Sequence, residues 1–181
     1  MIKFGTDGWR GVISKDFTFD NLKRVVLAHG LVLKELGAER VVVGYDLRFL
    51  SEEYGRFVAG ILAGMGFKVT LSKGFSPTPA VSYATKYGGY DNGIVITASH
   101  NYGKYNGYKV KESFGGAART EFTNRIEEKL PKVDAVPVKE GEFKKEDLNT
   151  PYVEGVKSQL ELSLFNERSL KIVHDPMYGA Q

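Results

Sequence analysis

Apolar residues along the chain follow two alternating rhythms. From Phe19 to Leu36, the residues Leu22, Val25, Val26, Val32, Leu33 and Leu36 recur at helical spacing, which places them on one face of an α-helix. Asp20 is the expected N-cap and Gly37 the expected stop, since a short acceptor opens a helix and glycine closes one. RVVVGYD (40–46) then changes the rhythm; unbroken valines suit a strand covered on both faces. SEEYGRFVAGILAGMG (51–66) predicts a second helix, capped by Ser51, with Tyr54, Phe57, Val58, Ile61, Leu62 and Met65 facing inward. FKVTLSKG (67–74) is the next strand, and SPTPAVSYATKYG (76–88) opens a third helix on prolines, which fit a first turn better than an interior. NGIVITAS (92–99) is the third buried strand.

Strand, helix and strand in this alternation imply right-handed crossovers. The expected fold is therefore a three-layer α/β/α sandwich with a mainly parallel, mixed sheet. YNGYKVKE (105–112) predicts a further strand that turns back through Asn106-Gly107, and Phe122, Ile126 and Leu130 mark a fourth helix over 120–130. The charged stretch 131–151 has strand character at DAVPVKE (134–140); a new helix follows in TPYVEGVKSQLELSLF (150–165), then a strand and loop in LKIVHDPMYGAQ (170–181). The expected division is a complete α/β/α domain over 1–150 and, over 151–181, a linker helix and the first strand of an incomplete second domain. An unfinished strand would also offer an edge through which two copies pair as a dimer.

Composition narrows the function classes. The chain is 42% hydrophobic and carries a net charge of +3, with lysines interleaved among acids; no nucleic-acid footprint follows from that pattern. Cysteine is absent, which removes disulfides, thiolate metal sites and a thiol nucleophile. MIKFGTDGWRG lacks the apolar core of a signal peptide, and no apolar run approaches the roughly 20 residues of a membrane span. A cytoplasmic protein without membrane or nucleic-acid partners is the expectation.

In an open α/β sheet, ligands bind beyond the carboxyl ends of the strands. Asp46 and Arg48 follow one predicted strand, Ser72 and Lys73 a second, and Ser99, His100 and Asn101 a third; Arg10 sits between Gly8 and Gly11 in a glycine-rich turn. On spacing alone Ser99 has three readings: a capping or turn serine, a hydrolase nucleophile, or a serine that carries a phosphoryl group. The sequence around it is Thr-Ala-Ser-His-Asn rather than a G-x-S-x-G elbow. A phosphoserine needs cationic or metal partners and donors, and Arg10, His100, Lys104 and Lys109 are the cations in reach along the sequence. Asp46 and Arg48, two residues apart, suit an ion pair that orders their loop. His100 has no nearby histidine with which to hold zinc. Trp9 is expected to wedge the N-terminal turn, and Tyr102, Tyr105 and Tyr108 to line or pack on the loop.

FGTDGWRG, GYDLRFLS, PTPA and TASHN…YNGYKV, in this order, resemble the first domain of the α-D-phosphohexomutases, the family of phosphoglucomutase, phosphomannomutase and phosphoglucosamine mutase. The resemblance covers about the first 150 residues, and IVHDPMYGA is similar to the opening of the family's second domain. It implies a four-domain enzyme that interconverts hexose 1-phosphate and hexose 6-phosphate, of glucose or mannose, with a glucosamine phosphate as the alternative sugar. Ser99 would be the phosphoserine, passing its phosphoryl group to a phosphosugar substrate through a bisphosphosugar intermediate. Lys109 would be a general acid/base, with His100 and Arg10 beside the reacting groups and Asn101, Lys104 and Arg48 in substrate or phosphate binding and support. Mg²⁺ would be held by the phosphate on Ser99 together with ligands in the remaining mutase domains, and hexose 1,6-bisphosphate would act as activator. Two departures from the family pattern stand out: Tyr102 replaces the usual proline after TASHN, and no D-x-D run is present. The 181-residue chain by itself is expected to lack turnover.

Overall fold

Six strands form one sheet between two helical layers. The computed structural model describes residues 2–6, 8–134, 136–166, 169, 171–177 and 179. Its strands are β1 (Gly8–Val12), β2 (Arg40–Tyr45), β3 (Lys68–Ser72), β4 (Asn92–Ile96), β5 (Tyr105–Glu112) and β6 (Lys144–Glu146), in the order β1-β5-β4-β2-β3-β6. β2, β3, β4 and β6 run parallel, while β5 is antiparallel to both β4 and β1. Helices α1 (Phe19–Glu35), α2 (Ser51–Gly64) and α4 (Thr120–Lys129) cover one face. Helix α3 (Thr78–Tyr87) covers the other, and α5 (Asn149–Lys157) packs against α3. The expected mixed α/β/α sandwich is what the chain forms.

The helical periodicity places the core well. Leu22, Val25, Val26, Val32 and Leu33 of α1 are buried against Tyr54, Val58, Ile61 and Leu62 of α2 and the sheet; each such side chain contributes roughly 1.5–3 kcal/mol on leaving water. Phe57 and Met65 are only partly buried, at the margin of this cluster. Leu36, expected inside, lies past the end of α1 and is 51% exposed.

Other local expectations need correcting. α1 is capped by Thr18, whose hydroxyl oxygen accepts the Asn21 N–H at 3.2 Å; Asp20 sits in the first turn instead, where its charge suits the helix dipole. Ser51 does not cap α2 with its side chain, because its hydroxyl donates to Asp46 at 2.8 Å. Asn106 and Gly107 lie within β5, and the reversal occurs earlier, between Ile96 and Tyr105. Arg10 is in mid-β1 rather than in a turn. Gly8 there serves close packing: a Cβ would come within 2.3 Å of the Tyr108 carbonyl oxygen. DAVPVKE forms no strand at its described residues, for the backbone beyond it bonds α2, with Gly141 N–H donating to the Gly60 carbonyl at 2.9 Å. The sheet is extended instead by β6, a short, charged edge strand of the kind that resists further pairing. Residues 171–177 are exposed and outside any strand, unlike the strand expected there. Leu170, Tyr178, Ala180 and Gln181 of that expected strand and loop lie outside the described residues.

One core contact makes stability depend on pH. His29 on α1 is fully buried, with Nδ1 2.8 Å from the Tyr108 hydroxyl of β5, and burial pushes its pKa from 6.5 down to about 3. A depressed histidine pKa means the folded state prefers the neutral ring. Its contribution is complete above the unfolded pKa and is lost as pH falls from 6.5 toward 3. Between pH 8 and pH 5 the protein is expected to lose about 2 kcal/mol through this group. Urea unfolding at both pH values measures the loss, and His29→Phe should flatten it; an equal slope in the variant would place the titration elsewhere.

Candidate active site

The parallel register of β2 and β4 ends at Tyr45 opposite Ile96. The next residues, Asp46 and Thr97, therefore emerge side by side, and Asp46 N–H donates to the Ile96 carbonyl at 3.1 Å. The chain passes outward from β2 to β3 and then back across β2 to β4. That reversal opens the crevice in which α/β sheets bind ligands.

Asp46 organises this crevice. Its carboxylate accepts from the Arg48 N–H at 3.0 Å, the Ser51 hydroxyl at 2.8 Å and the Thr97 hydroxyl at 2.6 Å. Thr97 in turn accepts the Ser99 N–H at 2.9 Å. The Arg48 guanidinium lies with Nε 3.2 Å from Asp46. Its two terminal nitrogens donate to four carbonyls of the following loop, those of Ser99 (2.6 Å), Asn101 (2.8 Å), Tyr102 (3.1 Å) and Tyr105 (3.1 Å). From below, the buried Asn106 amide donates to the Ser51 hydroxyl at 2.9 Å and accepts the Gly107 N–H at 2.8 Å. The 99–105 loop is thus wrapped around one planar cation, a task suited to a rigid fork of donors.

Ser99 is held in a costly conformation. Its φ is 57°, in the left-handed region that costs a non-glycine residue about 1–3 kcal/mol. The bonds to its N–H and its carbonyl hold it there. Ser99 begins no helix, and its hydroxyl is exposed, 3.4 Å from Nδ1 of His100. Ser99 caps no helix, but it does lie in a turn, closed by the Asn101 N–H bond to the Ala98 carbonyl at 3.1 Å. Among the described residues no carboxylate hydrogen-bonds His100, as the base of a hydrolase triad would require.

Ser99 borders a cleft of about 730 Å³, lined also by Asp46, Arg48, His100, Asn101, His174 and Asp175. Such a volume suits a small polar ligand. Arg10 joins through its guanidinium, which donates to the Asn101 side chain at 3.1 Å. Trp9 and Tyr108 face the core, so alternation along β1 and β5 puts Arg10 and Lys109 together on the opposite sheet face. Lys109 is half-buried, in register with Gly8 and Val95. Lys104 stands apart: its ammonium is 5.6 Å from the centre of the Tyr105 ring. Arg48, expected to support or bind phosphate, has its fork committed to Asp46 and the loop carbonyls. Ser72 is buried against Ser76 at 2.7 Å and is structural.

Thr97, Ser51 and Asn106 fall within the quoted motifs, but the sequence assigns none of them a part in holding the Ser99 loop. A threonine two residues before a strand-end serine is a local signal for a side chain-to-backbone bond, but Ser51 and Asn106 are joined only by folding. His174 is equally distant in sequence from the crevice it borders.

Similarity to known proteins agrees with this architecture. The family description "Phosphoglucomutase/phosphomannomutase, alpha/beta/alpha domain I" matches residues 1–136. A phosphoglucomutase/phosphomannomutase of Thermococcus kodakarensis is 36% identical, over 98% of this chain and 40% of that protein. A phosphoglucosamine mutase of Caldanaerobacter subterraneus subsp. tengcongensis is 38% identical over the same shares. A crystal structure from Thermus thermophilus, described as that of a phosphomannomutase, superposes with a TM-score of 0.88 at 42% identity, covering 93% of this chain and 38% of that one. The chain spans about 40% of the length of the curated relatives it matches. By its sheet, its helical layers and these similarities, the chain belongs to the phosphoglucomutase/phosphomannomutase family, as an α/β/α domain I.

Proposed function

We propose that Ser99 is the phosphoryl carrier of a phosphohexomutase that interconverts hexose 1-phosphate and hexose 6-phosphate. The observation that carries this reading is the Ser99 hydroxyl, exposed on a left-handed backbone at the edge of a 730 Å³ cleft. A serine held at conformational cost with its oxygen free to react suits transfer chemistry. In the forward step a free sugar hydroxyl attacks the phosphorus on Ser99. The new O–P bond forms as the Oγ–P bond breaks, and Lys109 takes the sugar hydroxyl proton and passes it to the departing Ser99 Oγ. In the return step the Ser99 hydroxyl attacks the other phosphate of the bisphosphosugar, its proton goes by way of Lys109 to the departing sugar oxygen, and the sugar O–P bond breaks. Arg10 and His100 offset the phosphoryl charge, Asn101 orients Arg10, and Lys104 lies at the outer approach. Arg48 acts through the loop, fixing Ser99 rather than touching phosphate.

Among the described residues no group of three or more His, Cys, Asp or Glu would hold a metal. This chain's own contribution to a Mg²⁺ site would be the phosphoryl oxygens on Ser99, and the ion would neutralise charge at that group. Hexose 1,6-bisphosphate would prime Ser99. The remaining mutase domains would supply the other metal ligands and the sugar contacts, so the 181-residue chain alone would not turn over.

Glucose and mannose phosphates are the substrates we favour, with glucosamine phosphate as the competing sugar. Rates on glucose 1-phosphate, mannose 1-phosphate and glucosamine 1-phosphate, measured with a polypeptide that includes the further domains, test this. A strong preference for glucosamine 1-phosphate would overturn the choice of sugar. Undiminished activity in Ser99→Ala would overturn the carrier.

A further inference from the structure

The hydrogen bonds around Asp46 have a fixed polarity. A carboxylate paired with a guanidinium accepts and does not donate. The groups that reach it, the Arg48 N–H and the hydroxyls of Ser51 and Thr97, therefore all donate. Each hydroxyl has then committed its one proton and keeps only lone pairs. Ser51 uses one to accept from the buried Asn106 amide at 2.9 Å. Thr97 uses one to accept the Ser99 N–H, also at 2.9 Å.

Thr97 is only 4% exposed, and the plain reading of a buried threonine is core filling. Its bonds point elsewhere. The hydroxyl proton crosses to a residue 51 positions away, and the oxygen then takes the N–H two residues further along its own chain. Ser99, at a φ of 57°, is tethered at both of its peptide groups, its N–H by Thr97 and its carbonyl by Arg48 at 2.6 Å. The strain of a left-handed serine and the net worth of one hydrogen bond are of similar size, so neither tether is redundant. Arg48 grips the loop from Ser99 to Tyr105, whereas the Thr97 oxygen acts on Ser99 alone. Thr97 also lines the cleft, but with its proton held by Asp46 it has no donor to offer a phosphoryl oxygen.

We propose that Thr97 is a positioning residue: its proton fixed on Asp46, its oxygen holds the Ser99 N–H and so sets where the Ser99 hydroxyl stands at the cleft. The link to phosphoryl transfer rests on the carrier reading of Ser99; the hold on the Ser99 backbone does not. Thr97→Val and Thr97→Ser separate this role from core filling. Valine keeps the branched shape and removes the hydroxyl, while serine keeps the hydroxyl and removes the methyl group. Packing ranks valine above serine, and positioning ranks serine above valine. In a polypeptide that includes the further domains, phosphoryl uptake by Ser99 from hexose 1,6-bisphosphate should slow about tenfold in Thr97→Val, the rate equivalent of one hydrogen bond. Thr97→Ser should recover most of that rate. KM for hexose monophosphate should stay within about twofold of the parent value in both variants, because the lost interaction is not one made to substrate. Crystal structures of the two variants read the Ser99 backbone directly: its φ should leave the left-handed region in Thr97→Val and remain there in Thr97→Ser. A Ser99 still left-handed in Thr97→Val, or uptake by Thr97→Val as fast as by Thr97→Ser, would refute the positioning role. A parent protein that takes no phosphate on Ser99 would instead refute the carrier reading, and the Ser99 φ in the two variants would still decide this one.

Discussion

Arg48→Ala is expected to lower the unfolding free energy by about 3 kcal/mol, because it removes charge-assisted bonds to several groups at once. Four loop carbonyls and the Asp46 carboxylate lose one shared cation. Both members of the Asp46–Arg48 pair are mostly buried, with side-chain exposures of 16% and 13%, so screening by water does not dissolve the effect. In a domain of this size the loss corresponds to a fall in Tm of roughly 6–12 °C. Arg48→Lys should recover only part of it, since a compact ammonium does not span carbonyls from Ser99 to Tyr105. The same change releases Ser99 from its left-handed conformation, so phosphoryl uptake by Ser99 should fall by about 100-fold, the penalty of a misplaced reacting group. Thermal unfolding and time-resolved phosphorylation read the two effects separately. A Tm shift within about 2 °C, below what 1 kcal/mol produces here, would show that the clamp is dispensable.

Gly107→Ala should be about as damaging, for a different reason. β5 lies between β1 and β4, and a Cβ at Gly107 would sit 2.6 Å from the Thr97 carbonyl oxygen and 2.9 Å from that of Trp9. Both are backbone atoms on opposite neighbours, so no side-chain rotation relieves the clash. The strands must part, at a cost of about 3 kcal/mol or more, the upper range for overpacking. The Thr97 N–H bond to the Gly107 carbonyl, 3.0 Å long, anchors the start of the Ser99 loop and would be strained with it. Far-ultraviolet circular dichroism during thermal unfolding measures the loss. A Tm close to that of the parent protein would mean that the strands separate more easily than their contacts imply.

Both predictions rest on features that the amino-acid order reveals to different degrees. Elements whose signal is local periodicity are plain in the sequence, among them the valines of β2 and the inward faces of α1 and α2. Elements decided by distant partners are not. DAVPVKE has strand-like residues, but its neighbourhood bonds to α2. Asn106-Gly107 has turn chemistry, yet it lies in mid-strand because Asn106 is needed under Ser51 and Gly107 between two backbones. At the site, TASHN marks Ser99 and its neighbours, and the Asp46–Arg48 pair follows from two residues at a strand end. What is illegible is that this pair holds the Ser99 loop, because residues 46 and 99 meet only through the β2–β4 register.

The carrier role of Ser99 is tested most directly by mass spectrometry of the peptide that contains it. The full-length protein is incubated with hexose 1,6-bisphosphate and digested, and Ser99→Ala is treated in parallel. The expected result is one phosphate on Ser99 of the parent protein, lost on adding excess hexose monophosphate and absent in the variant together with activity. A parent protein with full mutase activity and no phosphate on Ser99 would contradict the account.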